Sequence, residues 1–180
     1  MATPTVRNLT IAAGDAGTRQ TLSEMAALIR AGSLTPAVRD VAVTVAGEQS
    51  DPVRQLAALR YWLAAKWQFV RDPSSGELLH DTAWLLRDLR ERGVIAGDCD
   101  DAAILGGALA ASIGFRVALV VIALRGSGTD EYSHVWASAS PPEPCTMADG
   151  RQLWIELDIT RPMQRIPLDR VARAEAQLVC

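Results

Sequence analysis

The chain has 180 residues, of which 49% are apolar and 22% charged, and its net charge is −3. Those values suit one globular domain with a sizeable core and argue against disorder. The eighteen basic residues are scattered along a slightly acidic chain, so there is no electrostatic footprint for a nucleic-acid partner.

Residues 1–7 lack the apolar run of a signal peptide, and the strongest apolar stretch, residues 117–124, is too short to cross a bilayer. The expectation is a cytoplasmic protein with no membrane partner. Cysteines at positions 99, 145 and 180 give neither a disulfide framework nor a zinc spacing, and no Asp-x-Asp-x-Asp-Gly calcium loop occurs. Neither a metal nor another cofactor is therefore expected.

No repeat and no linker divides the chain, so residues 1–180 are read as a single domain. A short strand is predicted over residues 6–12. Leu22, Met25, Ala26 and Ile29 then fall on one face of a helix over 18–31 that stops at Gly32. Thr35-Pro36 opens a second helix, striped by Val38, Val41, Ala42 and Val45 and ending at Gly47. Asp51-Pro52 opens a third, running through Leu56, Leu59 and Leu63 to Trp67. Asp81-Thr82 starts a fourth, which buries Leu85, Leu86 and Leu89 and ends at Gly93. Asp98 precedes an Ala/Leu-rich helix to about residue 112, closed by Gly114.

From residue 115 the character changes. Residues 115–124 read as a buried strand, and Gly126-Ser127-Gly128 reads as a turn. Two further strands, 133–138 and 153–159, flank a loop containing Pro141, Pro142 and Pro144. Residues 168–179 read as an amphipathic tail helix. The sum is an α+β arrangement, a helical N-terminal half packed on an antiparallel β-sheet.

Three stretches carry chemistry: Gly97-Asp98-Cys99-Asp100-Asp101, Ser133-His134-Val135-Trp136, and residues 154–160 ending in Asp158-Ile159-Thr160. A thiol attacks only when ionised, and a free cysteine is mostly protonated at neutral pH. Cys99 sits where a Gly-Asp turn enters a helix. The dipole there favours the thiolate by only about 0.3–1 kcal/mol, and Asp100 and Asp101 oppose it. A neighbouring imidazole must supply the rest. His134 is one of two histidines. If strands 133–138 and 153–159 pair about the loop, Trp136 faces Glu156 and His134 faces Asp158, close enough for a carboxylate to orient the ring. The Cys99 helix packed on that polar face would complete a thiol, base and orienting acid. The Cys99 backbone N–H is one candidate oxyanion donor. Trp67 or Gln68 is the candidate for the other.

Gly97-x-Cys99 followed by Ala102, Leu109, Gly114 and Arg116 resembles the nucleophile helix of the transglutaminase-like superfamily, a branch of the papain-like thiol enzymes. His134-Val-Trp136 resembles its histidine strand, and Trp154-x-x-Leu157-Asp158-x-Thr160 its aspartate strand. Phe69-Val70-Arg71-Asp72-Pro73, with Glu77 and Trp84 beyond, is similar to members from tailed phages and prophages. The resemblance covers residues 97–160 in the family's order. It implies an amide-bond hydrolase or acyltransferase (protease, deamidase or transglutaminase) acting on a protein or peptide through a thioester.

Other residues read more plainly. Cys145 and Cys180 are incidental thiols, and His80, beside a helix start, is solvent-exposed. Trp136 and Trp154 line the site or belong to the core, and Asp98 and Asp101 cap a helix. The competing function is a non-catalytic structural or interaction module that keeps the fold, with phage or prophage structural proteins as partners and the virion as its location.

Overall fold

A computed structural model describes residues 3–12, 14–73, 77–124, 132–142, 146–147, 149–160 and 170–180. The Gly126-Ser127-Gly128 turn, Pro144 and Cys145 lie outside the described residues.

The first half is helical, as its stripes require. Strand β1 (Val6–Leu9) leads to helices α1 (Gly14–Ser33), α2 (Pro36–Ala46) and α3 (Pro52–Lys66). Strands β2 (Trp67–Phe69) and β3 (Glu77–His80) precede α4 (Thr82–Arg92), and β4 (Ile95–Gly97) runs into α5 (Cys99–Ser112). Asp51 caps α3 by accepting from the Arg54 N–H at 3.0 Å, and Asp81 caps α4 through the Trp84 N–H at 2.7 Å. Gly93 ends α4 in the left-handed region, with φ of 77°, where a side chain would be strained. Thr35 does not cap α2 with its side chain; its hydroxyl donates instead to the Gly32 carbonyl at 2.8 Å.

Helix α5 is the centre of the molecule. Twelve of its residues are buried, including Ile104, Leu105 and Leu109, because helices pack on one side and a sheet on the other. Met25 and Ile29 of α1, Leu56, Leu59 and Leu63 of α3, and Leu85 of α4 join the same core, all fully shielded from water. Close approach is purchased with glycine. A Cβ on Gly107 would lie 2.9 Å from the Ile29 Cδ1 and 3.3 Å from the Val117 Cγ1.

The second half is a four-stranded antiparallel sheet in the order β7-β6-β5-β8. Its strands are β5 (Arg116–Leu124), β6 (His134–Ser140), β7 (Ile155–Glu156) and β8 (Val171–Leu178). Val117, Leu119 and Val121 of β5 sit opposite Ala139, Ala137 and Val135 of β6, and this apolar face packs on α5. His134 and Trp136 therefore belong to the other face, by strand alternation. The expected packing of α5 on the His134 face is corrected: the apolar parity of both strands claims the helix.

Four other expectations change. Residues 171–178 form a strand, not a tail helix. Their Ala, Glu and Gln content favours helix locally, but β5 is a long apolar strand, and β8 pairs along it from Ala118↔Leu178 to Leu124↔Val171. Trp67 leaves helix α3 to begin β2, which pairs in parallel with β4 through Trp67↔Ile95 and Phe69↔Gly97. The strand predicted over 153–159 shrinks to Ile155–Glu156. Its register has Ser138 opposite Glu156 and Ala139 opposite Ile155, two residues from the expected pairing. A two-residue slip keeps each side chain on its expected face. Among the described residues, no helix is long and apolar enough to cross a membrane.

Candidate active site

The nucleophile candidate is placed by backbone pairing before it. Strand β4 lies along β2, the Val70 N–H donates to the Gly97 carbonyl at 2.9 Å, and the chain turns directly into α5. Asp98 is the N-cap, accepting from the Asp100 N–H at 3.0 Å, as its sequence position suggested. Cys99 is thus the first residue of the helix, where backbone N–H groups have no intrahelical partner.

His134 starts β6 and is 6% exposed. Its Nε2 lies 2.7 Å from the Asp158 Oδ2. Asp158 is not directly opposite His134. It lies two residues past the end of β7 and reaches the ring diagonally, a contact a side chain can span on one sheet face. The Asp158 Oδ1 accepts from the backbone N–H and the hydroxyl of Thr160, both at 3.0 Å, and the Asp158 carbonyl accepts from the Arg60 Nε at 3.0 Å. Burial pushes the Asp158 carboxyl up, but the hydrogen bond and charge of His134 and the two Thr160 donors outweigh it, so its pKa falls below the ordinary value. The aspartate stays ionised and holds the ring, leaving Nδ1 as the nitrogen available for chemistry.

Cys99 and His134 line one cleft of about 410 Å³, together with Glu77, Asp98, Asp100, Ser133, Val135 and residues of α1. The Val135 backbone, next after His134, is close enough to the sulfur to oppose part of its upward shift, so Cys99 lies near the start of β6. Its Sγ donates to the Asp100 Oδ1 at 3.5 Å. Burial pushes the thiol well above its usual range, and the Asp100 and Asp98 charges push it further. The anticipated opposition from Asp100 is therefore real, and the resting sulfur is a protonated thiol. Asp98 is itself raised to about 7, by burial first and then by the charges of Asp101 and Asp72. Asp100 is raised well above the ordinary value by burial and by a side-chain hydrogen bond with Glu77.

The donor atoms of Asp98, Cys99 and Asp100 lie within 4.8 Å of one another. Successive residues at a helix start are brought that close by the turn itself.

The remaining predicted site residues fall elsewhere. Trp136, Trp154, Trp67 and Gln68 do not line the cleft. The Trp136 ring stands 5.6 Å from that of His134, with its Nε1 donating to Ser138. Trp154 lies beneath the Arg116 guanidinium at 5.7 Å, toward the other end of β6. The Trp67 Nε1 is buried without a hydrogen-bond partner among the described residues, whereas Gln68 is exposed.

The sequence reading missed His80. It is not a solvent-exposed residue: its side chain is 13% exposed, and its Nδ1 lies 2.7 Å from the Asp101 Oδ2. Asp101 does not cap its helix as expected. It is wholly buried, and its Oδ1 accepts from the His80 N–H at 2.9 Å.

The family model of the transglutaminase-like superfamily matches residues 39–159. The chain belongs to that superfamily. Among solved structures, a protein of Parabacteroides distasonis that carries a provisional protease name is similar at 12% identity and a TM-score of 0.53, over 88% of this chain and 29% of that one. A protein of Cytophaga hutchinsonii with a provisional cysteine-protease name is similar at 17% identity and a TM-score of 0.48, over 78% of this chain and 46% of that one. The chain thus spans less than half the length of either. No curated protein matches the sequence. The transglutaminase-like fold is thereby established, and it agrees at a coarse level with a thiol-type hydrolase or transferase.

Proposed function

We propose that this transglutaminase-like domain cleaves or transfers amide-linked acyl groups, with Cys99 as nucleophile, His134 as general base and acid, and Asp158 as the group that orients His134. The observation that carries the reading is the 2.7 Å contact of the His134 Nε2 with Asp158, at a residue that lines the same cleft as Cys99.

The chemistry follows from a thiol that is protonated at rest. As Cys99 attacks a carbonyl carbon, its proton passes to the His134 Nδ1 and the sulfur–carbon bond forms. The tetrahedral oxyanion accepts from the Cys99 backbone N–H, which has no intrahelical partner at the start of α5. The carbon–nitrogen bond then breaks, and His134 returns the proton to the departing amine. Water attack on the thioester releases an acid; attack by an amine forms a new amide. The substrate class is a protein or peptide.

The test is the mass of the covalent adduct on Cys99 after incubation with a peptide library. An acyl mass on Cys99, absent in Cys99→Ala and in His134→Ala, is expected. A folded protein that acquires no adduct with any peptide would overturn the reading. The upshifted thiol favours one competitor, a non-catalytic binding or structural module that keeps the fold. On that reading Cys99→Ala would leave partner binding and assembly intact while acyl capture is missing from the wild-type protein.

A further inference from the structure

Outside the His134–Asp158 pair lies a second imidazole–carboxylate pair, His80 and Asp101, against the start of the same helix. Asp101 is the third residue of α5, yet its carboxylate is not spent on its own helix. It takes both the backbone N–H and the ring Nδ1 of His80, at 2.9 and 2.7 Å, so the first turn of α5 is pinned to β3 by two bonds at one carboxylate. The space for this is specific. A Cβ on Gly97 would lie 2.5 Å from the Asp101 Oδ2 and 2.7 Å from its Cβ, so glycine two residues before Cys99 is what admits the buried carboxylate. The His80 ring is fixed from its other side by Trp84, with ring centroids 3.9 Å apart.

Charge gives the pair a second consequence. Glu77 on β3, Asp98, Asp100 and Asp101 at the start of α5, and Asp72 before β3 surround this end of the cleft. Asp72, Asp98 and Asp101 all act on His80, and Glu77 acts on Asp98, Asp100 and Asp72. On the α4 side, Asp81 follows His80 in the chain, and the Arg87 guanidinium lies 5.8 Å from the centroid of the Trp84 ring. His80 is a basic side chain set directly among these carboxylates. Burial disfavours its charge, but the Asp101 hydrogen bond and the charges of Asp101, Asp72 and Asp98 prevail and raise its pKa.

We infer that His80 and Asp101 are positioning residues for the nucleophile: Asp101 seats the first turn of α5 on β3, and the His80 imidazole, held among the carboxylates around Cys99, offsets them so that a thiolate can form there. The inference rests on Cys99 being the nucleophile. Neither residue touches the substrate. His80 acts through the field it sets, because a positive charge among like-charged acids lowers the free energy of an added anion.

The experiment is the pH–rate profile of iodoacetamide alkylation, resolved by mass spectrometry at Cys99 and at the exposed Cys180, for the whole chain and for His80→Asn. Asparagine can keep an N–H near the Nδ1 position but carries no charge. Labelling of Cys99 at pH 7 should fall about 3–10-fold with the midpoint of its profile moved upward, while Cys180 labelling stays unchanged. Where His80→Asn does not fold, as judged by its thermal transition, His80→Gln removes the same charge with a different side chain. A folded variant whose Cys99 midpoint equals that of the wild type overturns the inference, because a merely structural histidine would scale the rate without moving the midpoint. Failure of the underlying reading looks different: Cys99 of the wild type then alkylates at a rate that His134→Ala leaves unchanged.

Discussion

Asp158 grips His134 from past the end of its strand, Oδ2 to Nε2 at 2.7 Å, rather than from the position directly across the ladder. The carboxylate is fixed by the Thr160 N–H and hydroxyl as well as by the ring, so its placement depends on the turn after β7 more than on the sheet.

Asp158→Asn should keep the fold and lose most of the reaction. The amide can still meet the ring but favours the wrong tautomer, and the imidazolium formed during attack loses its counter-charge. A fall of about 10²–10⁴-fold in kcat is expected, by analogy with the loss of an orienting aspartate in serine-type triads. Rates of acyl–Cys99 formation for the two proteins measure it.

The depressed pKa of Asp158 has a stability consequence of definite sign. Its folded-state value lies below the ordinary 3.8, so its contribution is present above the unfolded value and is lost as pH falls through the folded one. Denaturant midpoints between pH 5 and pH 2 should decline less steeply in Asp158→Asn than in the wild type.

Asp98 predicts the opposite slope. Its folded value is about 7 against an ordinary value of 3.8, so between those values the folded state holds a proton that the unfolded chain has released. Stability from this group is full below about pH 4 and drains away as pH rises toward 7. Asp98→Asn keeps an acceptor for the Asp100 N–H and removes the titration. The variant should gain on the order of 1–3 kcal/mol over the wild type at pH 8, and little at pH 4, read from urea unfolding at the two pH values.

Two glycines of the core should respond unequally to alanine. At Gly97 the new methyl meets the carboxylate and Cβ of Asp101, neither of which can move without breaking the tie to His80. A loss of about 1–3 kcal/mol follows, with slower alkylation of Cys99. At Gly107 the nearest atom is the tip of Ile29 at 2.9 Å, a flexible end that can turn aside, so Gly107→Ala should cost roughly 1 kcal/mol or less. Denaturant unfolding of the two variants gives the comparison.

Much of this was legible in the sequence, for physical reasons that differ by element. Helices α2, α3 and α4 announce themselves because Pro36, Asp51-Pro52 and Asp81 start them and Gly47 and Gly93 follow their ends. Strand β5 is apolar on both faces and reads as a buried strand. The contact of His134 with Asp158 was visible because strand alternation survives a two-residue slip, although the register did not. Residues 171–178 were misread because their local preference is helical and the deciding partner, β5, lies some fifty residues away. His80 and Asp101 were missed for a related reason. Each looks like an ordinary residue at a helix start, and only the tertiary packing of β3 against α5 makes them a pair.

The partial burial of Cys99 bears also on oxidation. Peroxide attacks thiolates far faster than thiols, and this sulfur is both desolvated and held protonated by its acidic neighbours. A thiol arranged in this way should oxidise slowly in air. Of the two cysteines among the described residues, the exposed Cys180 is the one open to modification or disulfide exchange, and it lies outside the cleft.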